Sequence, residues 1–346
     1  MATQNIDTTD LRARGENIRE QLSDVIKNIS PTEYVLHANA GEMSPAKNME
    51  RSWLDDKIRP ARMDNNLVVG GQFVRVPDES PARLSMYHQT SYEYIEVSRI
   101  AELSDTAGRK SELARLLIKA GKAIKGDMEL ISQSDQATRR DTGDEGDPNS
   151  AGLTAGLGSW ARLIDDRGAG GAAPALSETT HGRPDTGPTA GTPRALSLQS
   201  ILDVTAAQYV DGASANMLMM GTELKGKFSR YMLNSQNPSA RIANPTQDHG
   251  ADPAGGVTVV GSVDVMVTDF NKFDIVPSRH TPNDRVYSLD TDHIEYSYFD
   301  GFKRSKIYHD RDAVSEVLLL TWGLGATSSE AVGIIADIDP TAEMED

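Results

Sequence analysis

Cysteine is absent from the 346 residues, which removes disulfides, thiolate metal sites and cysteine nucleophiles together and leaves the redox compartment open. Positive charge is scarce. Lys and Arg number 35 against 51 Asp and Glu, a formal charge of −16, so the molecule repels nucleic acid and anionic lipid at long range and any polyanion contact has to be local. Long apolar runs are missing too: the longest, near Val317 to Ala326, is far below the roughly 18 residues of a membrane span. The first residues have neither a basic start nor an apolar stretch, so the chain reads as cytosolic or self-assembled, with no membrane anchor.

Catalytic signatures are equally sparse. The seven histidines, His37, His88, His181, His249, His280, His293 and His309, fall one per segment, and none forms a pair that a helix would bring onto one face for zinc. The glycines from Gly152 to Gly158 and the pair Gly323 and Gly325 are not followed by Lys-Ser or Lys-Thr, and no Gly-x-Gly-x-x-Gly or Gly-x-Ser-x-Gly occurs. The densest ligand-like cluster is Asp290, Asp292, His293 and Glu295, where alternation along a strand points two carboxylates one way; a solvated strand end is the simpler account. No cofactor or metal is implied, and no catalytic residue stands out.

What is present is enough apolar material, 38%, for one elaborated domain or two ordinary ones. From Asp10 to Ile29, Leu11, Ile18, Leu22, Val25, Ile26 and Ile29 mark one helix face that either folds back or clasps a partner. Residues 43–98 read as a long two-stranded arm, Asn48 to Trp53 pairing with Arg83 to Val97 around Gly70-Gly71 and Pro77 to Pro81. A ribbon is marginal alone, so it needs support from other subunits, with Trp53, Tyr92 and Tyr94 as aromatic anchors.

The strongest helical signal runs from Thr106 to Gln136, capped by Thr106 or Ser111. Leu113, Leu117, Ala120, Ile124 and Met128 fall within roughly an 80° arc, with Arg115, Lys119 and Lys122 about opposite. Gly121 and Gly126 inside it predict close packing or a bend. Between Asp165 and Leu196, 22 of 32 residues are Gly, Pro, Ala, Ser or Thr, so the segment reads as an exposed loop with nothing to bury. Order resumes with helices near 198–211 and 222–233 around a strand at 216–220. Strands follow at Val257 to Val267, Phe273 to Val276, Ile294 to His309 and Ala313 to Trp322.

This order resembles the Hong-Kong-97-type major capsid proteins of tailed double-stranded DNA bacteriophages. Residue blocks carry the resemblance: Leu22 to Thr32 (LSDVIKNISPT), Ala107 to Glu112 with Ile124 to Leu130, Gly156 to Trp160, and Val263 to Phe270 with Ile275 to Arg279. Two departures are a longer connection over Ala169 to Arg194 and Gly121 in place of a longer side chain. The resemblance implies an α+β fold with an N-arm (1–42), an extended E-loop ribbon (43–98), a P-domain spine helix (99–140), an exposed connecting loop (141–199), mainly A-domain (200–312), and P-domain return strands with an acidic C-terminus (313–346). It implies a structural, non-enzymatic subunit that assembles through hexamers and pentamers into an icosahedral virion shell in the host cytoplasm. Leu22, Ile26, Trp53, Tyr92 and Tyr94 become intersubunit contacts, and Arg115, Lys119 and Lys122 face packaged DNA. Scaffolding, portal and decoration proteins are separate partners, since only 21 residues precede Leu22. Two other readings stay open: a tail or decoration protein, and an acidic metal-dependent hydrolase built on Asp290, Asp292 and Glu295.

Overall fold

The computed structural model describes residues 34–59, 61–63, 65–67, 69–73, 80–103, 111–144, 147, 149–176, 182–234, 263–308 and 312–345. The predicted helix at 10–29, with Leu22 and Ile26, lies outside them. The described residues form a four-stranded sheet, a six-stranded sheet and a separate two-stranded ribbon, with helices packed on both larger sheets.

The four-stranded sheet has the order β1 (Gly41–Glu42), β10 (Ile294–Ile307), β11 (Ala313–Ala326), β4 (Gln89–Ser98). Its long helix, α3 (Glu112–Ser132), follows two short ones, α1 (Val35–Asn39) and α2 (Arg99–Leu103). Ser111 is the cap of α3, its hydroxyl oxygen accepting the Ala114 N–H at 3.1 Å, and Glu102 on α2 accepts the next two free donors, Glu112 N–H and Leu113 N–H, each at 3.1 Å. The apolar arc falls as the periodicity predicts. Ala120, Ile124 and Met128 are buried, and Leu113 and Leu117 pack with Ile95 and Val97 of β4. Neither glycine of α3 marks a close approach: a methyl at Gly121 would meet only Leu318 at 3.8 Å, and one at Gly126 nothing within 4 Å.

The six-stranded sheet runs β5 (Ile164–Asp166), β12 (Val332–Ile335), β9 (Val286–Leu289), β6 (Met217–Gly221), β8 (Lys272–Ser278), β7 (Val265–Val267). Its β6, Met-Leu-Met-Met-Gly, is buried on both faces, which explains an apolar run without alternation. Met217 and Met219 join Tyr287, Ile334, Trp322 and Met128 in the core between the two sheets. Leu218 and Met220 face a second core with Ile201 and Val204 of α5 (Leu198–Asp211) and Leu224 and Phe228 of α6 (Thr222–Asn234).

Three sequence expectations change. The arm over 43–98 is not one ribbon: β2 (Glu50–Asp55) pairs with β3 (Ala82–Tyr87), but β4 pairs along its length with β11, Ser98 opposite Ala313 through Gln89 opposite Trp322. Pairing to a strand more than 200 residues away leaves no local trace. The division at 312–313 also shifts, because β10 belongs to the sheet of β11, while β12 joins β5 and β9.

The third change concerns 141–199, which is exposed in part but not throughout. Residues 154–161 are buried, including α4 (Leu157–Trp160). Gly156 is obligatory there, since a Cβ would lie 2.2 Å from the Ser134 carbonyl oxygen. Beyond β5 the Gly- and Pro-rich strap is fastened by backbone bonds. Gly168 and Gly191 N–H groups donate to Asp337 Oδ2 at 3.1 and 2.8 Å, Ala172 pairs with Thr189, and Thr138 N–H donates to the Pro184 carbonyl at 2.9 Å. Arg194 exchanges backbone bonds with Asp337 and Asp339. Counting apolar side chains missed this because the donors are in the backbone.

Candidate assembly surface

The β2–β3 ribbon is anchored at its base and bare at its tip. Trp53 lies half-buried, its ring centroid 5.7 Å from that of Trp160, and its indole N–H donates to the Thr327 carbonyl at 3.2 Å. Lys57 pairs with the buried carboxylate of Glu330, and Asp55 accepts from Ser329. His88, buried just past the ribbon, accepts or donates at both nitrogens. The Met49 carbonyl 2.8 Å from Nδ1 can only accept, so Nδ1 carries the proton and Nε2 accepts from Ser297 Oγ at 3.0 Å. Burial lowers the His88 pKa below 6.5. The neutral ring is the one that fits, so its contribution to stability is complete above pH 6.5 and lost as pH falls through the lowered value. An NMR titration of the His88 ring should give a midpoint below 6.5; a midpoint above it contradicts this packing.

Past Lys57 the ribbon tip carries Ile58, Met63, Val69 and Phe73, each more than nine-tenths exposed, with Leu67 half exposed. Five large apolar side chains in solvent on one projection is the mark of an interaction surface. Sequence reasoning chose Trp53, Tyr92 and Tyr94 instead. Trp53 spends its indole within its own chain, whereas the tip residues lack any alternation that would have singled them out. Tyr92 and Tyr94 are exposed on β4, not on the ribbon; Ile95 and Val97 turn to α3 and the tyrosines to the other face. The Tyr94 hydroxyl bonds Glu96 and Ser315.

On α3 the three sequence-selected cations differ. Lys119 and Lys122 are exposed, but Arg115 is part-buried and paired with Glu112 of its own helix, which neutralises it. The helix also holds a residue that sequence reasoning missed. Glu129 is fully buried and accepts the N–H groups of Leu36 and His37, at 2.6 and 3.1 Å, and the Gln133 side-chain amide at 2.7 Å, so it caps α1 and moors the N-terminal segment to the long helix. Burial raises its pKa, opposed by those bonds. Replacing Glu129 with Leu orphans these donors, and chemical denaturation should show a loss of about 2–4 kcal/mol. A loss under about 0.5 kcal/mol contradicts the mooring role.

The cluster Asp290, Asp292 and Glu295 does not assemble a metal centre. Asp290 is buried, and its carboxylate accepts the Ser214 and Asp292 N–H groups at 3.0 and 3.2 Å. Among the described residues no three His, Asp or Glu side chains group to hold a metal ion, and no helix there is long and apolar enough to cross a membrane.

A long helix on a four-stranded sheet, a second mixed sheet and a ribbon with an apolar tip are the parts that the Hong-Kong-97-type resemblance implies. A family model described as SU10 major capsid protein matches residues 2–339. The chain belongs to this major capsid protein family, and it is a structural protein of a phage virion capsid. Solved structures agree on the fold. The chain is similar to the cyanophage A-1(L) capsid subunit, 14% identical over 93% of this chain and 97% of that one, TM-score 0.58. It is also similar to the capsid of a native GTA particle, 11% identical over 97% and 100%, TM-score 0.59. A third is the holo-SrpI encapsulin complex of Synechococcus elongatus PCC 7942, 10% identical over 99% of each chain, TM-score 0.51. No curated protein matches the chain.

Proposed function

We propose that the chain builds a closed icosahedral shell of hexamers and pentamers around double-stranded DNA in the host cytoplasm, with separate scaffolding, portal and decoration partners. The observation that carries this is the ribbon tip: an anchored base holds five apolar side chains that no described residue of the chain covers. The N-terminal segment, with the apolar Leu22 and Ile26, is the second clasp. Tyr92 and Tyr94 are further intersubunit contacts through the outer face of β4. Size-exclusion chromatography with light scattering should give capsomers, shells or open polymers; a stable monomer at high concentration, with or without a scaffolding partner, overturns the reading.

Lys119 and Lys122 are proposed to face DNA. With a Debye length of about 8 Å at physiological salt, a local positive stripe acts despite the acidic whole. The pairing of Arg115 with Glu112 gives it the smaller share. Lys119→Glu with Lys122→Glu should leave empty shells forming and lower the heat resistance of filled heads. Filled heads of ordinary yield and heat resistance would make the stripe a solvated face only.

A further inference from the structure

We propose that the cleft between the foot of the ribbon, the segment after α3 and the strap is a carboxylate-binding site that takes an acidic side chain of a second copy of the chain. The identity of the donor rests on the shell reading above; the site itself does not. The cleft holds about 540 Å³ and is walled by Tyr87, Leu153, Arg139, Arg140, Arg183 and Asp185. At its floor Arg183 lies 4.4 Å over the Tyr87 ring, with a side chain only 9% exposed. Its nearest carboxylate, Glu50, is 3.8 Å from Nη1, outside hydrogen-bond reach, and neither Nε nor Nη1 has an acceptor. A nearly buried guanidinium with two idle donors is costly unless something fills them.

The backbone around Arg183 is set for the purpose. Gly182 has φ +61° and backs onto the Arg83 carbonyl, where a Cβ would come to 2.3 Å, so this close passage admits only glycine. On the other side the Pro184 carbonyl accepts the Thr138 N–H, and the Arg183 carbonyl accepts the Asp185 N–H at 2.9 Å. Arg139 is steadied by the Ala151 carbonyl and Asn149, and Arg140 is exposed at the rim. Among the described residues the cleft lining carries three arginines and one carboxylate, Asp185, with Glu50 close by Arg183.

The geometry favours a carboxylate side chain over other anions. A guanidinium edge receives a carboxylate in bidentate fashion. The apolar walls of Tyr87 and Leu153 can pack the methylenes that carry it, and an inorganic ion would fill only a small part of the volume. Each further copy of the chain offers 51 acidic residues, so donors are plentiful.

Two arms test this. In unassembled subunits titrated with N-acetylglutamate, the Arg183 Nε–H resonance should shift and saturate, and Arg183→Gln should weaken binding of that probe at least tenfold, or about 1.4 kcal/mol; Arg140→Gln, at the rim, should weaken it less. Silence at Arg183, or saturation by inorganic phosphate but not by N-acetylglutamate, overturns the site. In assembled particles, Arg183→Gln and Arg140→Gln should each lower the denaturant midpoint of particle dissociation while the melting temperature of free subunits stays put. Equal loss in both states would make Arg183 a fold residue and overturn the proposal. If wild-type subunits do not assemble, the second-copy assignment falls with the shell reading, and the first arm still decides whether the site exists.

Discussion

Trp160→Ala lowers the unfolding free energy by about 3–5 kcal/mol, the range for truncating a buried tryptophan. Trp160 is 2% exposed and ties three parts of the chain together. Its indole N–H donates to the Leu324 carbonyl of β11 at 3.1 Å, its ring packs at a tilt against Trp53 of the ribbon base, and its helix α4 is threaded against Ser134 and Asp135 just past α3. Truncation opens a cavity under β11 and frees the wall on which Trp53 leans. Denaturation followed by tryptophan fluorescence and by circular dichroism should show both the lower midpoint and a loosened Trp53 signal. Trp160→Phe keeps most of the volume and loses the hydrogen bond, so it should cost about half as much or less. A loss under about 1 kcal/mol for the alanine variant contradicts the central place given to this side chain.

Replacing 58–79 by a short Gly-Ser linker should abolish assembly and leave the subunit folded. The removed residues include the exposed Ile58, Met63, Leu67, Val69 and Phe73, which are solvent-facing in the single chain, so their loss takes little from the core. Burying such side chains at an interface is worth about 1.5–3 kcal/mol each, several orders of magnitude in association when the set is lost together. The anchoring contacts of Trp53, Asp55 and Lys57 remain, so thermal unfolding of the subunit should move little. Light scattering should report the free subunit at concentrations where the unaltered chain forms larger species. Ordinary particle yield from the linker variant removes the ribbon tip from the assembly surface.

The parts of the fold that follow from short periodicities were legible. α3 and α5 come from spacings of three and four, and the sequence also placed α6 and β6. The Ser111 cap, the inward arc of Ala120, Ile124 and Met128, and the exposure of Lys119 and Lys122 all follow from position on one helix. What escaped depends on contacts distant in sequence or made by the backbone. β4 is a strand by composition, but its choice of β11 over β3 is set by burial of Ile95 and Val97 under α3. The strap reads as loose because its fastenings are Gly168, Gly191 and Arg194 backbone groups meeting Asp337, an interaction with no apolar signature. Glu129 looked like one more polar helix residue, about 100° round from Met128 and outside the apolar arc, yet α1 covers it there and it accepts the free N–H groups of Leu36 and His37.

A cryo-EM reconstruction of the assembled particle tests the central claim most directly. The ribbon tip of each copy, from Ile58 to Phe73, should lie against the surface of a neighbouring copy, with those apolar side chains covered. A particle in which the tips project into solvent, with its subunits joined elsewhere, would contradict the claim.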